Sequence, residues 1–211
     1  MGGKVNNTKK IVAISMLSLS SIASAASYTF SGNIVNHNDV IKVNFSLAGA
    51  ATNVRVWTDS FLANASNPSG TNFDPITALW NADTGAKLDQ NDDNSNINPS
   101  TQTYYDSGFA LPTLAAGNYI FTMAAFNNFS NGNFLSGGFN FDSQAPIAIG
   151  SFDQPANEEN KRGSFWRINL DGVDAAIDPN TTPSAVPVPG ALWLFGTAIA
   201  GFAGFGRRKI I

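Results

Sequence analysis

From Ala26 to about Leu170 the apolar residues recur with a period of two, and that alternation commits the chain to strands with one buried face. Ile41-Lys42-Val43-Asn44-Phe45-Ser46-Leu47 alternates strictly. Asn53–Thr58 does likewise, and Ser164–Leu170 does so in part. Tyr119–Phe126 is more continuously apolar and reads as a central strand. Tyr28–Val35 and Thr77–Trp80 are further strands, and Thr103–Phe109 is expected to be another. No window carries the 3.6-residue period of an amphipathic helix. Asn81-Ala82-Asp83-Thr84-Gly85, between Leu79-Trp80 and Ala86-Lys87-Leu88, reads as a hairpin turn. The expected fold class is therefore all-β, an antiparallel β-sandwich of jelly-roll type. Phe45, Val54, Trp57, Leu79, Trp80, Leu111, Tyr119, Phe121 and Trp166 are its expected core. The chain has no cysteine, so this core must hold the domain without disulfides.

The two ends follow different rules. Lys4, Lys9 and Lys10 precede an apolar stretch from Ile11 to Ile22, and Ala23-Ser24-Ala25 supplies a small-x-small cleavage site. Residues 1–25 thus read as a secretory signal peptide, cut after Ala25 or after Ala26. Such a leader implies a Sec-type export machinery and a signal peptidase. At the other end, Pro183, Pro187 and Pro189 interrupt any preceding structure. Gly190–Gly206 then runs without a charge, long enough for about 25 Å of helix, a little under a hydrocarbon core of roughly 30 Å. Arg207-Arg208-Lys209 follows at once and marks the cytoplasmic side. The expected layout is a signal peptide (1–25), a β-sandwich (26–182), a proline-rich linker (183–189), a single hydrophobic helix (190–206) and a basic tail (207–211).

This layout alters the electrostatics. The whole chain has a net charge of −3, but half of its 12 basic residues lie in the two ends. The middle retains 6 basic against 15 acidic residues, a surface that repels phosphate backbones and argues against a nucleic-acid partner.

The C-terminal segment Val186-Pro187-Val188-Pro189-Gly190-Ala191-Leu192-Trp193-Leu194-Phe195-Gly196, with Gly201–Gly206 and Arg207-Arg208-Lys209, resembles the PEP-CTERM sorting tag of Gram-negative bacteria. Val188 stands where the glutamate of that motif falls, so the tag is similar to a PVPG variant. The resemblance implies an exosortase-like processing enzyme and passage through the inner membrane, with delivery to the cell surface or extracellular matrix. The alternative is a plain single-span anchor. Across residues 28–127, "DVIKVNFSL", "ITALWNADTGAKLDQNDDN" and "LPTLAAGNYIFTMAAF" are similar to the bacterial pre-peptidase C-terminal jelly roll. Asp39, Leu79, Asp83, Gly85, Asn91, Asp92, Asp93, Gly117 and Tyr119 take that family's motif places. This second resemblance implies an accessory β-sandwich found beside secreted enzymes; residues 128–163 fall outside it.

Chemistry-bearing residues are sparse. Asp89-Gln90-Asn91-Asp92-Asp93-Asn94 is dense in oxygen ligands, and Asp83 lies across the expected hairpin. Ca2+ takes six to eight such oxygens, so Asp83, Asp89, Asn91, Asp92 and Asp93 are candidate ligands; the other reading is a solvated polar turn. An EF-hand loop is absent. His37, the sole histidine, is expected to be an exposed turn residue, and no Gly-x-Ser-x-Gly elbow or Walker loop occurs. Glu158 and Glu159 read as a charged loop rather than as catalytic acids. Phe126, Phe129, Phe134, Phe139 and Phe141 are expected to pack a long loop onto the sheet, or else to face a glycan. The functional expectation is a non-enzymatic surface or matrix protein with a structural or adhesive role in an exopolysaccharide layer. A Ca2+-dependent carbohydrate-binding module and a remote secreted hydrolase are the alternatives.

Overall fold

The computed structural model describes residues 26–61, 73–152 and 163–180. Ala23 and Ala25 of the leader lie outside them. So do Glu158, Glu159, the proline linker, the apolar span and the sorting-tag residues Val186, Pro187, Val188, Pro189, Gly190, Arg207, Arg208 and Lys209.

Among the described residues nine strands form two wholly antiparallel sheets: β1 (Ala26–Asn33), β2 (Val40–Leu47), β3 (Ala51–Thr58), β4 (Pro75–Asn81), β5 (Lys87–Asn91), β6 (Gly108–Leu114), β7 (Gly117–Ala125), β8 (Phe165–Val173) and β9 (Ala175–Ile177). One sheet has the order β1-β8-β3-β6 and the other β5-β4-β7-β2-β9. The period of two explains the burial. In β2, Val43, Phe45 and Leu47 are buried while Lys42 and Asn44 face out. In β8, Trp166, Ile168 and Leu170 do the same job for the other sheet. The two inner faces meet in one apolar cluster, where the Phe109 ring of β6 stands edge-on to Phe121 of β7 at 6.2 Å. Each fully buried side chain of this size contributes roughly 1.5–3 kcal/mol relative to exposure.

Six of the nine expected core residues sit in this cluster, and Leu111 packs against it half-buried. Trp57 and Trp80 are also buried but lie elsewhere. Trp57 has the Arg55 guanidinium 5.2 Å above its ring, and Trp80 forms a second small cluster with Ala78 and Phe139. The continuous apolar character of β7 is explained in the same way. β7 is central, between β4 and β2, and the 126–141 segment brings Phe139 onto Trp80, with Ile120 of β7 and Leu135 packed against the same cluster.

The expected strand Thr103–Phe109 begins five residues late. Thr103–Ser107 is instead a turn built on Asp106, whose carboxylate accepts the Thr103 amide (2.8 Å) while the Asp106 amide donates to the Thr103 carbonyl (2.9 Å). The strand starts at Gly108, where the chain crosses so close to β3 that a Cβ would lie 2.3 Å from the Val56 carbonyl oxygen; only glycine fits. β6 then runs through Pro112, which an edge strand tolerates.

His37 is likewise not an exposed turn residue: it is fully buried. The Ile147 amide donates to Nδ1 (3.1 Å), so Nε2 carries the proton and donates to Gln144 Oε1 (3.0 Å). Phe141 and Phe152 lie against the ring, at centroid separations of 5.1 and 4.7 Å. The histidine thus fastens the 139–152 segment to the turn between β1 and β2. His37→Ala strands one amide and one side-chain carbonyl and removes a buried ring. We expect a loss of about 2–3 kcal/mol, read as a fall in the urea midpoint.

Candidate metal centre

The β4–β5 hairpin sets up the site. Asn81 Oδ1 accepts the amides of Asp83 (3.1 Å) and Thr84 (2.9 Å), and Gly85 takes a φ of 70° to close the turn. The ladder pairs Leu79 with Asp89, Ala78 with Gln90 and Thr77 with Asn91. Continued three residues beyond Thr77, this register brings Asp74 level with the Asp92-Asp93-Asn94 segment.

One carboxylate oxygen from each of Asp74, Asp92 and Asp93 lies within 4.8 Å of the others. A Ca2+ ion at about 2.4 Å from each spans separations up to that size. Asp74 is 1% exposed, Asp92 is half-buried and Asp93 is exposed, so the cluster has a buried floor and an open mouth. Neither oxygen of Asp74 has a hydrogen-bond partner among the described residues, nor does Asp92 Oδ1. A buried carboxylate without a partner is costly, and two remedies exist: it takes a proton or it takes a cation. Burial, followed by the charges of Asp92, Asp93 and Asp106, pushes the Asp74 carboxyl up to about 8. Burial and then Asp93 push Asp92 up to about 6, and burial also raises Asp93.

The crossing from β5 to β6 holds this cluster in place. Asp106 is fully buried, and its Oδ1 accepts the amides of Ser60 (2.6 Å) and Phe61 (3.1 Å) and the Thr58 hydroxyl (3.1 Å). Burial raises its carboxyl to about 6 even though those bonds and the Thr103 amide pull the other way. Ser107 Oγ lies 2.7 Å from Thr77 Oγ1 and donates to the Asn91 carbonyl (3.1 Å). The Asn94 amide donates to the Asp106 carbonyl (2.8 Å), so the segments 92–94 and 104–106 run side by side.

The sequence-expected ligands divide accordingly. Asp92 and Asp93 come together with Asp74, which the local pattern did not reveal. Asp83 is not among them. It accepts the Asn118 side-chain amide (3.1 Å) and lines a separate groove of about 340 Å3 with Asn44, Ser46, Tyr119 and Ile177. Asp89 is exposed on the edge strand and accepts the Gln90 amide (2.8 Å). Asn91 closes β5 just before the acidic pair. Of the five phenylalanines singled out, Phe139 packs on Trp80 and Phe141 on His37 and Phe152, whereas Phe134 is exposed.

The described residues define an all-β protein of two antiparallel sheets with an acidic cluster at the crossing between them. Comparison with known families matches residues 185–209 to the PEP-CTERM protein-sorting motif, the interval that contains Val186 to Gly190 and Arg207 to Lys209. The motif marks an exported protein that transits the membrane and is processed by exosortase-type machinery for the cell surface. No curated protein and no solved structure matches the chain.

Proposed function

We propose that this chain is a non-catalytic surface or matrix protein of a Gram-negative bacterium, and that its mature domain has a structural or adhesive role in the exopolysaccharide layer. The observation that carries this reading is the sorting motif at 185–209. In this reading residues 1–25 are removed on export, 26–182 form the delivered domain, and 183–211 act as a removable proline motif, membrane helix and basic stop. The strand order supports a jelly roll: β1, β3, β6 and β8 share one sheet, while β2, β4, β5 and β7 share the other. That interleaving is the pattern of two Greek keys wound together. Intact-mass measurement of the surface-released protein tests the proposal. The expected mass begins at Ala26 or Ser27 and ends near the prolines 187–189. Deleting the exosortase is expected to leave the full C-terminus attached, whereas a tail retained in both strains reduces the segment to a plain anchor.

A second element of the proposal concerns Ca2+. An isolated Asp-rich loop is most simply a solvated turn, but the buried and unpartnered Asp74 beneath Asp92 and Asp93 favours a cation. Three carboxylates at this spacing suit a hard ion of flexible geometry, and Ca2+ is abundant where the protein is delivered. The ion would tie the start of β4 to the β5–β6 crossing.

A further inference from the structure

Beside the acidic cluster, the crossing presents an aromatic surface that the core does not use. Tyr104 is 58% exposed, yet its ring is held. Tyr105 lies 4.5 Å and Phe61 5.4 Å from it, and Phe61 stands edge-on to Tyr105 at 4.6 Å. The backbone on both sides is fixed too, because Thr103 Oγ1 donates to the Phe61 carbonyl (2.8 Å) and Asp106 clamps Thr103 and Phe61. A rigid exposed aromatic offers contact area at small entropic cost. The Asn94–Asp106 bond sets this platform beside Asp92 and Asp93, and burial, then Tyr104 and then the charges of Asp74 and Asp93 raise the Tyr105 phenol.

We propose that Asp74, Asp92, Asp93 and Tyr104 form one saccharide site, in which a Ca2+ ion on the three carboxylates binds a vicinal diol of a neutral sugar while the Tyr104 ring stacks on the sugar face. The inference rests on the Ca2+ reading above. Ca2+ accepts six to eight oxygens, and the Asp93 side of the cluster is open, so hydroxyls can complete the sphere from solvent. Three carboxylates already exceed the charge of the ion, and the middle of the chain carries 15 acidic against 6 basic residues. A neutral diol is therefore preferred to a uronate, whose carboxylate would meet repulsion. Tyr104 takes the place that the sequence offered to the phenylalanines, of which Phe139 and Phe141 are committed to packing.

Affinity electrophoresis of the exported protein through gels containing galactomannan, a neutral polysaccharide with cis-diols, tests the site. Retardation is expected in millimolar Ca2+ and lost in EDTA. Tyr104→Ala is expected to weaken it at least tenfold while keeping the Ca2+-induced rise in melting temperature, and Asp74→Asn to abolish both. Free migration of the wild-type protein alongside an intact Ca2+ melting shift would overturn the saccharide site and leave the metal centre standing. Retardation that survives EDTA, or survives Tyr104→Ala unchanged, would also overturn it. Absence of both the Ca2+ melting shift and the retardation in the wild-type protein overturns both readings.

Discussion

Millimolar Ca2+ is expected to raise the melting temperature of the exported protein by roughly 5–10 °C, and EDTA to reverse the rise. A ligand present at about 100 times its dissociation constant adds about 2.7 kcal/mol to the native state, and each kcal/mol moves a domain of this size by roughly 2–4 °C. Asp74→Asn keeps the shape of the side chain and removes the charge. It is expected to eliminate the Ca2+ shift and to leave the metal-free protein at least as stable at pH 8. The direction of pH dependence follows from the same residue. Asp74 in the fold holds a proton up to about pH 8 that the unfolded chain releases near 3.8. Folding therefore takes up a proton between those values, so metal-free stability is highest at the acid end of that window and declines as pH rises toward 8. Asp92 and Asp106 add in the same sense up to about 6. Ca2+ must displace the protons of Asp74 and Asp92, so its stabilising shift shrinks as pH falls from 8 toward 5. A melting temperature indifferent to millimolar Ca2+ at pH 8 would sink the metal centre.

The second large effect is expected at Asp106. Asp106→Ala leaves the Ser60 and Phe61 amides buried, and the Thr103 amide half-buried, without their acceptor, while the Thr58 hydroxyl can turn to the Ser107 carbonyl (3.3 Å). At about 1–3 kcal/mol for each stranded group, the loss is expected to exceed about 4 kcal/mol, a large part of a typical domain's 5–15 kcal/mol. The variant is expected to unfold at much lower urea concentration. Asp106→Asn retains one carbonyl acceptor and is expected to lose roughly half as much. Equal midpoints for the two variants would show that the carboxylate's bonds do not organise the crossing.

Where the sequence signal was a period, it was readable. Ile41–Leu47 and Asn53–Thr58 lie in β2 and β3, Tyr119–Phe126 lies in β7 except for Phe126, and the Asn81–Gly85 turn joins β4 to β5. What escaped was set by pairing between distant segments. β6 carries Pro112 and β9 is three residues long at a sheet edge, so neither shows a period. His37 looks like a turn residue until the 139–152 segment folds over it. Asp74 stands 18 residues before Asp92, and no local density marks it. The hairpin contains only part of the clue. Pairing Leu79 with Asp89 and counting back past the start of β4 carries the register to Asp74, but the bulge between Leu79 and Trp80 shifts the pairing by one, so the turn alone does not give the floor of the site.

β8 lies between β1 and β3, although its sequence comes more than 100 residues after either of them. The first strand of the sequence must therefore wait for the eighth before it acquires its sheet neighbour among the described residues. Such non-local pairing is slow by nature. On the proposed export route, in which the chain would cross the membrane unfolded, this delay would be useful: the four-stranded sheet would not be complete until Phe165–Val173 had emerged. On that route topology would put translocation and folding in order, with β8 serving as the latch that closes only after passage.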